Sequence, residues 1–576
     1  MNDNGNFISR FISNAKHHPD KIALQLPLME GQACLSEESI SYGELSNLVL
    51  SYQALWKMKG WQAGDRVIVI LKPSKELYAI ALALFSLGIV AVFIDTGMGR
   101  KKIQMAIRDS NAKAIISMQA LIKLFWFVPA LWPLQRFAID GAGFGYKNLA
   151  TQVNAIANVN ANSNSNSKSI AELTAIKRSD SDHGLISFTS GSTGRPKGAD
   201  RTHFSLIQQH LAIRDHWPDE EGDIDCPCFP VMVLHNLSCG MTTIMPKVDL
   251  AEPARVNAEV VIAQLRQHKI SRLSGAPAYI EGLVHYLSQQ PKGLETVSEV
   301  KSLVVGGATV SKALAHSIKT AFPQANARIV YGSTEAEPIS DVSLDDYLAE
   351  EKEGYLVGHV ASQIDLLISN VGDSAEHGEA ITEEVLFAHK CRSEEIGEIL
   401  VSGHHVLKQY IDNPAANREN KIPRKGVEAT KSVWHRTGDC GYQDQEGRLW
   451  LSGRIKDVLN VNGQSIQPFP VEQKLDQENS IKRAAIIQHD GQIILFVQTL
   501  DNPNKSELIQ RITSIVATYF SVAGITNIQY IEMANMPVDG RHNSKIDRPF
   551  LRDYLSKNMT KTRQIISIGK ETHHAE

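Results

Sequence analysis

Ten consecutive residues, Thr189-Ser190-Gly191-Ser192-Thr193-Gly194-Arg195-Pro196-Lys197-Gly198, combine three glycines, four hydroxyl side chains and one lysine. Glycines let backbone N–H groups close around phosphate oxygens, hydroxyls donate to them, and the lysine supplies charge. The run is not a Walker A loop, because Lys197 is followed by Gly198 rather than Ser or Thr. A bland Ser/Gly linker is the competing reading, but a linker does not usually follow an apolar strand directly. A second polar turn is Gly306-Gly307-Ala308, and a third is Tyr331-Gly332-Ser333-Thr334-Glu335. Tyrosine, hydroxyl and carboxylate together can stack on a base, donate to a phosphate and hold a metal. Farther on, Asp439 and Arg454 each follow a glycine, and such a pair can bind ribose hydroxyls or simply belong to a surface hairpin around Gln445-Glu446-Gly447. Lys545 sits in Arg541-His542-Asn543-Ser544-Lys545-Ile546-Asp547-Arg548, and a lone loop lysine is uninformative by itself.

These turns need strands to carry them. Leu185 to Phe188, Leu303 to Val305 and Arg328 to Tyr331 are short apolar runs that read as strands, each immediately before one of the turns. Arg66 to Leu71, Glu76 to Leu87 and Ile89 to Ile94 read as strand, helix and strand, a βαβ unit of a mainly parallel sheet. Ligands of open α/β sheets sit beyond the carboxyl ends of the strands, so three polar turns can converge on one nucleotide. Ser311 to Phe322 reads as a helix between two of the strands. Near the C-terminus, Ala484 to Gln488 and Ile493 to Thr499 form a hairpin pattern around Asp490-Gly491, followed by an amphipathic helix from Leu508 to Phe520. That block reads as a separate small α+β domain.

The chain has 576 residues, too many for one compact core. A formal net charge of −4 gives no basic excess to suggest a nucleic-acid partner. Six scattered cysteines, Cys34, Cys226, Cys228, Cys239, Cys391 and Cys440, include no C-x-x-C pair and read as reduced thiols of a cytoplasmic protein. The N-terminus lacks the basic-then-apolar pattern of a signal peptide. Ala157 to Ser169, rich in Asn and Ser, reads as a surface loop. Leu121 to Phe137 is the most apolar stretch but is too short to span a bilayer. A buried element is the favoured reading there, ahead of an interfacial patch.

Taken as a set, TSGSTGRPKG, YGSTE, TGD, GR and a late lysine resemble the superfamily of acyl-CoA synthetases, luciferases and nonribosomal-peptide adenylation domains, over about Ile40 to Arg552. The resemblance implies an α/β fold with a large N-terminal AMP-binding domain, residues 1–453, and a small mobile α+β domain, residues 454–576. It implies an enzyme that uses ATP and Mg²⁺ to convert a carboxylic acid to its acyl-AMP. Thr189, Ser190, Gly191, Ser192, Thr193, Gly194 and Lys197 would cover the β- and γ-phosphates. Gly307 and Ala308 would line the adenine site, with Tyr331 stacked on the base and Gly332 and Ser333 beside it. Thr334 would contact the α-phosphate, Glu335 would hold Mg²⁺, and Asp439 and Arg454 would bind ribose. Lys456 would be the hinge, and Lys545 would reach the α-phosphate and the substrate carboxylate. No histidine or cysteine is needed as a nucleophile or acid–base group for this step.

Within the superfamily, the long spacing from Pro230 through His235 to Gly240 is similar to the β-lactone synthetases of bacterial olefin biosynthesis, as are YGSTEAEP, VWHRTGDCGYQDQEGRLW, MPVDGRHNSKIDRP and the apolar insert at Leu121 to Phe137. His235 and Gly240 would lie at the acyl pocket. This branch implies a medium- or long-chain β-hydroxy acid and closure to a β-lactone with loss of AMP. GRIKDVLNVNGQSIQP instead resembles the acyl-CoA ligases, which implies a thioester with CoA or an acyl carrier protein. Other pathway enzymes are the further partners implied. A non-catalytic adenylate-binding module is the alternative of another class, and intact Lys545, Glu335 and Asp439 argue against it.

Overall fold

The computed structural model describes residues 5–155, 172–189, 195–352, 354–370, 381–426, 432–478, 480–500, 504–538, 546–557 and 564–568. The Asn/Ser-rich stretch, Ser190 to Gly194 and Lys545 lie outside these residues. The chain forms two compact units. The first holds Met1–Leu344, Ala361–Asp365 and Val401–His435, and the second holds Asp345–Val360, Leu366–Leu400 and Arg436–Glu576.

In the first unit the expected strand-helix-strand is present. Arg66–Ile70 pairs in parallel with Val90–Ile94. Between them lies the helix Lys75–Ser86, whose first turn is capped by Ser74 accepting from the Leu77 N–H at 3.2 Å. Every residue of that helix from Leu77 to Ser86 is buried. A helix that is apolar all round has to be enclosed, and truncating a side chain such as Phe85 to Ala would cost roughly 3–5 kcal/mol. The sheet runs in the order Lys147–Asn148, Gln135–Ala138, Ala114–Ser117, Arg66–Ile70, Val90–Ile94, His183–Thr189 and Lys197–Thr202. Its pairings are parallel except the last, the antiparallel hairpin of His183–Thr189 with Lys197–Thr202.

A second sheet in this unit places Ile224–Pro227, Arg272–Gly275, Ser302–Gly306 and Asn326–Ser333 side by side in parallel. Asn326–Ser333 then turns back into the antiparallel strand Ala336–Ser343. The predicted helix of this region spans Lys312–Ala321, capped by Ser311.

The strand Val433–Gln443 belongs to the second unit from Arg436 on, and there its residues Asp439 to Gln443 form the expected hairpin with Arg448–Arg454. Asp444 fixes its turn: one carboxylate oxygen accepts the Glu446 and Arg448 N–H groups at 3.0 and 2.8 Å, and the other accepts the Trp450 indole at 2.8 Å. The C-terminal hairpin is Ile481–His489 with Gln492–Thr499, joined in parallel by Asn527–Glu532, which pairs antiparallel with Gln564–Ser567. The helix Lys505–Phe520 buries Leu508, Ile512, Val516 and Phe520, at the spacing of one helical face, in the same core as Ile486 and Leu495.

One expectation is corrected. Leu121 to Phe137 is not a wholly buried element. Ile122, Phe125, Leu131 and Leu134 enter the core, but Leu121, Leu124, Trp126, Phe127 and Trp132 face outward. The segment folds as short helical turns at Gln119–Ile122, Lys123–Phe127 and Pro129–Leu131, and one-turn elements can aim only part of a largely apolar stretch inward.

Candidate functional site

In the first unit the second and third polar turns lie side by side, and Thr189 and Lys197, which flank the first, reach the same region. Gly306 pairs with Val330 across the parallel strands, so Gly307-Ala308 and Tyr331 leave adjacent strand ends together. Gly307 has φ +85°, a left-handed conformation that side chains other than glycine rarely adopt. Tyr331, Gly332 and Ser333 close the strand, and Thr334-Glu335 form the turn into the next one, where Ser333 pairs with Ala336. The Ser333 hydroxyl accepts the Glu335 N–H at 3.2 Å.

The hairpin whose two strands flank the glycine-rich loop reaches the same turn. Thr189 pairs with Lys197 at the loop end of this hairpin. Arg201, on the Lys197 strand, donates to the Thr334 carbonyl at 2.5 Å. Tyr410 joins the two turns: its hydroxyl donates to the Glu335 carboxylate at 2.8 Å, while the buried Lys197 ammonium lies 5.2 Å from its ring centre. Lys421 lies 5.2 Å from the same ring and donates to the Leu407 carbonyl, and the Leu407 N–H donates to the Glu335 carbonyl at 2.7 Å. His435, buried beside them, is held through its Nδ1 by the Asn420 carbonyl at 3.2 Å.

Burial decides the protonation states here. It resists ionisation of Glu335, but Lys421 and the Tyr410 hydroxyl more than offset it and hold the carboxyl below its ordinary pKa. Burial lowers Lys421 to about 7, against the pull of Glu335, and lowers His435 to about 3, helped by Lys421. A carboxylate kept ionised among buried cationic groups is a hard oxygen ligand suited to Mg²⁺, and the lysines suit a polyphosphate. Arg201, Tyr410, Lys421 and His435 were not found by sequence reasoning. They carry no local signal, because each acts only through contacts made in the folded chain.

His235 is buried on the helix Met232–Cys239, which Gly240 ends in a left-handed conformation at φ +77°. Its Nδ1 meets the Nδ1 of His210 at 3.1 Å, and its Nε2 meets the Cys239 sulfur at 3.5 Å. Burial lowers the pKa of both histidines, that of His210 to about 4, so both rings are neutral at pH 7. The three groups offer ligand atoms that all lie within 4.8 Å of one another. With both His235 nitrogens engaged, the trio is a hydrogen-bonded chain.

In the second unit, Asp439 and Arg454 face each other across the hairpin, with Arg454 Nε 2.8 Å from the carboxylate. The Asp439 N–H is fixed by the Thr437 hydroxyl at 3.1 Å. Lys456 is exposed in the turn Ile455–Asp457 directly after Arg454.

A glycine turn, a tyrosine and an ionised carboxylate beside buried lysines thus gather beyond the carboxyl ends of the strands, where open α/β sheets bind their ligands. The AMP-binding enzyme family matches residues 11–411, and the chain belongs to that family. Among characterised relatives, the olefin β-lactone synthetase of Xanthomonas campestris is 26% identical over 95% of this chain and 98% of its own length. That of Stenotrophomonas maltophilia is 27% identical over 97% of this chain and 100% of its own length. The long-chain-fatty-acid–CoA ligase of Bacillus subtilis is 24% identical over 82% of this chain and 81% of its own. The amide bond synthetase McbA from Marinactinospora thermotolerans superimposes with a TM-score of 0.74 at 15% identity, covering 95% of this chain and 99% of that one. ATP-bound MatB from Rhodopseudomonas palustris does so with a TM-score of 0.73 at 19% identity, covering 96% and 100%. The fold is that of adenylate-forming enzymes, with a large N-terminal and a smaller C-terminal domain.

Proposed function

We propose that the chain uses ATP to activate a long-chain β-hydroxy acid as its acyl-AMP and then closes it to a β-lactone. The observation that carries this reading is alignment with two olefin β-lactone synthetases over nearly the whole length of both partners. In the first step a carboxylate oxygen bonds to the α-phosphorus of ATP and pyrophosphate leaves. Thr189 through Gly194 and Lys197 would hold the β- and γ-phosphates, Gly307, Ala308 and Tyr331 the adenine, with Gly332 and Ser333 beside it, and Asp439 and Arg454 the ribose. Thr334 would contact the α-phosphate, and Lys545 would bridge that phosphate and the substrate carboxylate. Glu335 would hold Mg²⁺, which offsets the repulsion between carboxylate and phosphate when bound.

In the second step the β-hydroxyl oxygen bonds to the acyl carbon, the bond from that carbon to the AMP oxygen breaks, and the hydroxyl proton is released. No second substrate is required, because the nucleophile is already held beside its target. Residues 454–576 would act as the mobile domain, turning at Lys456, and His235 and Gly240 would border the acyl chain. Six free cysteines fit work in a reducing cytoplasm.

The second reading is thioester formation with CoA or a carrier protein, favoured by the GRIKDVLNVNGQSIQP phrase and by the CoA-ligase relatives. Purified protein, ATP and a long-chain β-hydroxy acid, analysed by mass spectrometry without thiol, separate the two. AMP and a lactone are the expected products, whereas acyl-AMP alone until CoA is added would overturn the lactone reading.

A further inference from the structure

Six large apolar side chains of the first unit, Leu121, Leu124, Trp126, Phe127, Trp132 and Phe144, stand exposed, Phe127 at 69% and Phe144 at 82%. They are rigidly mounted. Phe125, buried beneath, lies with its ring centre 4.6 Å from that of Trp126, which in turn stacks on Phe144 at 5.8 Å and 11°. The Trp132 indole donates to the Phe125 carbonyl at 3.0 Å. Arg136 pegs the loop from below, donating to the carbonyls of Gly145, Leu131 and Trp132 at 2.8, 2.8 and 3.0 Å. The polar groups are therefore satisfied internally and the apolar ones point out. This is the reverse of what a surface in water favours, and an apolar patch of this kind marks an interaction site.

Charge says what the site meets. Between Arg100 and Asp140 the chain has seven basic residues and two acidic ones, in a protein of net charge −4. Both acids are engaged: Asp109 pairs with Arg195 at 3.0 Å, and Asp140 accepts the Gln119 N–H at 2.6 Å. Arg100 donates to the Phe127 carbonyl at 3.0 Å, which places it at the rim of the patch. Arg108 lines a shallow cleft of about 530 Å³ with Pro129, Ala130 and Pro133. Lys123, exposed, sits within the patch itself. Lysine is depleted from the cores of protein–protein interfaces, but at a lipid surface its stem lies along the acyl boundary while its ammonium reaches the headgroups. Trp, Phe and Leu ringed by Lys and Arg are the composition of a surface that lies in a bilayer interface. No helix among the described residues is long and apolar enough to cross a membrane, so the contact would be with one leaflet.

We propose that this patch docks the protein onto an anionic lipid bilayer, with Trp126, Phe127, Trp132 and Phe144 inserted at the headgroup boundary and Arg100, Arg108 and Lys123 against acidic headgroups. The proposal stands independently of the product assigned above.

Co-sedimentation of the full chain with phosphatidylcholine vesicles, with and without about one-third phosphatidylglycerol, tests it. The protein is expected to pellet with the anionic vesicles and to be released by salt. Trp126→Ser combined with Phe127→Ser should weaken the partition about tenfold or more. Arg108→Glu combined with Lys123→Glu should weaken it at least about tenfold, since each basic residue near such a surface contributes about fivefold. ATP–pyrophosphate exchange with a water-soluble acid should be unchanged in both variants, which shows that they are folded. Protein that stays in solution with both kinds of vesicle, or variants that bind as well as the parent, would overturn the proposal. So would a lipid-free dimer that the same substitutions break, because the patch would then join copies of this chain.

Discussion

Glu335 in the first unit and Asp439 in the second are both carboxylates carried on antiparallel hairpins, yet their surroundings differ. Glu335 shares Tyr410 with Lys197 and lies among the buried Lys421 and His435. Asp439 faces one arginine, and that Arg454 side chain is 45% exposed. In the first case every charge is desolvated and depends on its neighbours. In the second, water reaches the arginine and screens the pair, although the Asp439 side chain is itself only 13% exposed. The same chemical contact therefore carries different energy, and burial rather than distance sets the difference.

The largest expected effect tests the buried side. Glu335→Gln keeps the shape but removes the charge that offsets Lys421. Pyrophosphate release should fall by about two to three orders of magnitude, and the variant should melt lower because the buried Lys421 ammonium loses its counter-charge. Near-parental rates together with an unchanged melting temperature would place Glu335 on a par with Asp439. Tyr410→Phe removes one hydrogen bond to that carboxylate and should cost about 2 kcal/mol in chemical denaturation, and a loss no larger than that at the surface pair would break the distinction.

A third test uses another buried carboxylate of the first unit. Asp225 is fully buried and accepts from Asn236 at 2.7 Å, while burial raises its pKa to about 6, against the pull of Arg272. A carboxyl with a raised folded pKa binds its proton more tightly folded than unfolded. Its contribution is thus lost as pH rises from the unfolded value near 4 through the folded value. Relative to Asp225→Asn, the parent protein should gain about 1 kcal/mol when the pH is lowered from about 7 to about 5, and parallel stability curves for the two proteins would refute the assignment. The smallest effect belongs to the surface pair: Arg454→Ala should change stability by about 0.5 kcal/mol, and a loss several times larger would show the Asp439 pair to be as dependent on burial as Glu335.

Much of this was readable in the chain. Each polar turn followed an apolar strand, as Gly307 and Thr334-Glu335 do in the structure, because strand periodicity and glycine turns are local properties. The C-terminal hairpin around Asp490-Gly491 was readable for the same reason. Leu121 to Phe137 was misread because a largely apolar stretch does not say which residues face inward, and short helical turns divided it between core and surface.

The sequence by itself determined the family, the strand-turn order and the residue types offered to a nucleotide, since these depend on neighbours a few positions apart. Only the tertiary structure decided that Tyr410, Lys421 and His435 close around Glu335 from a distant segment of the chain, and that the aromatic turns face outward. Those arrangements join residues that chain folding brings together and solvent exclusion makes strong, and neither is written in any local pattern.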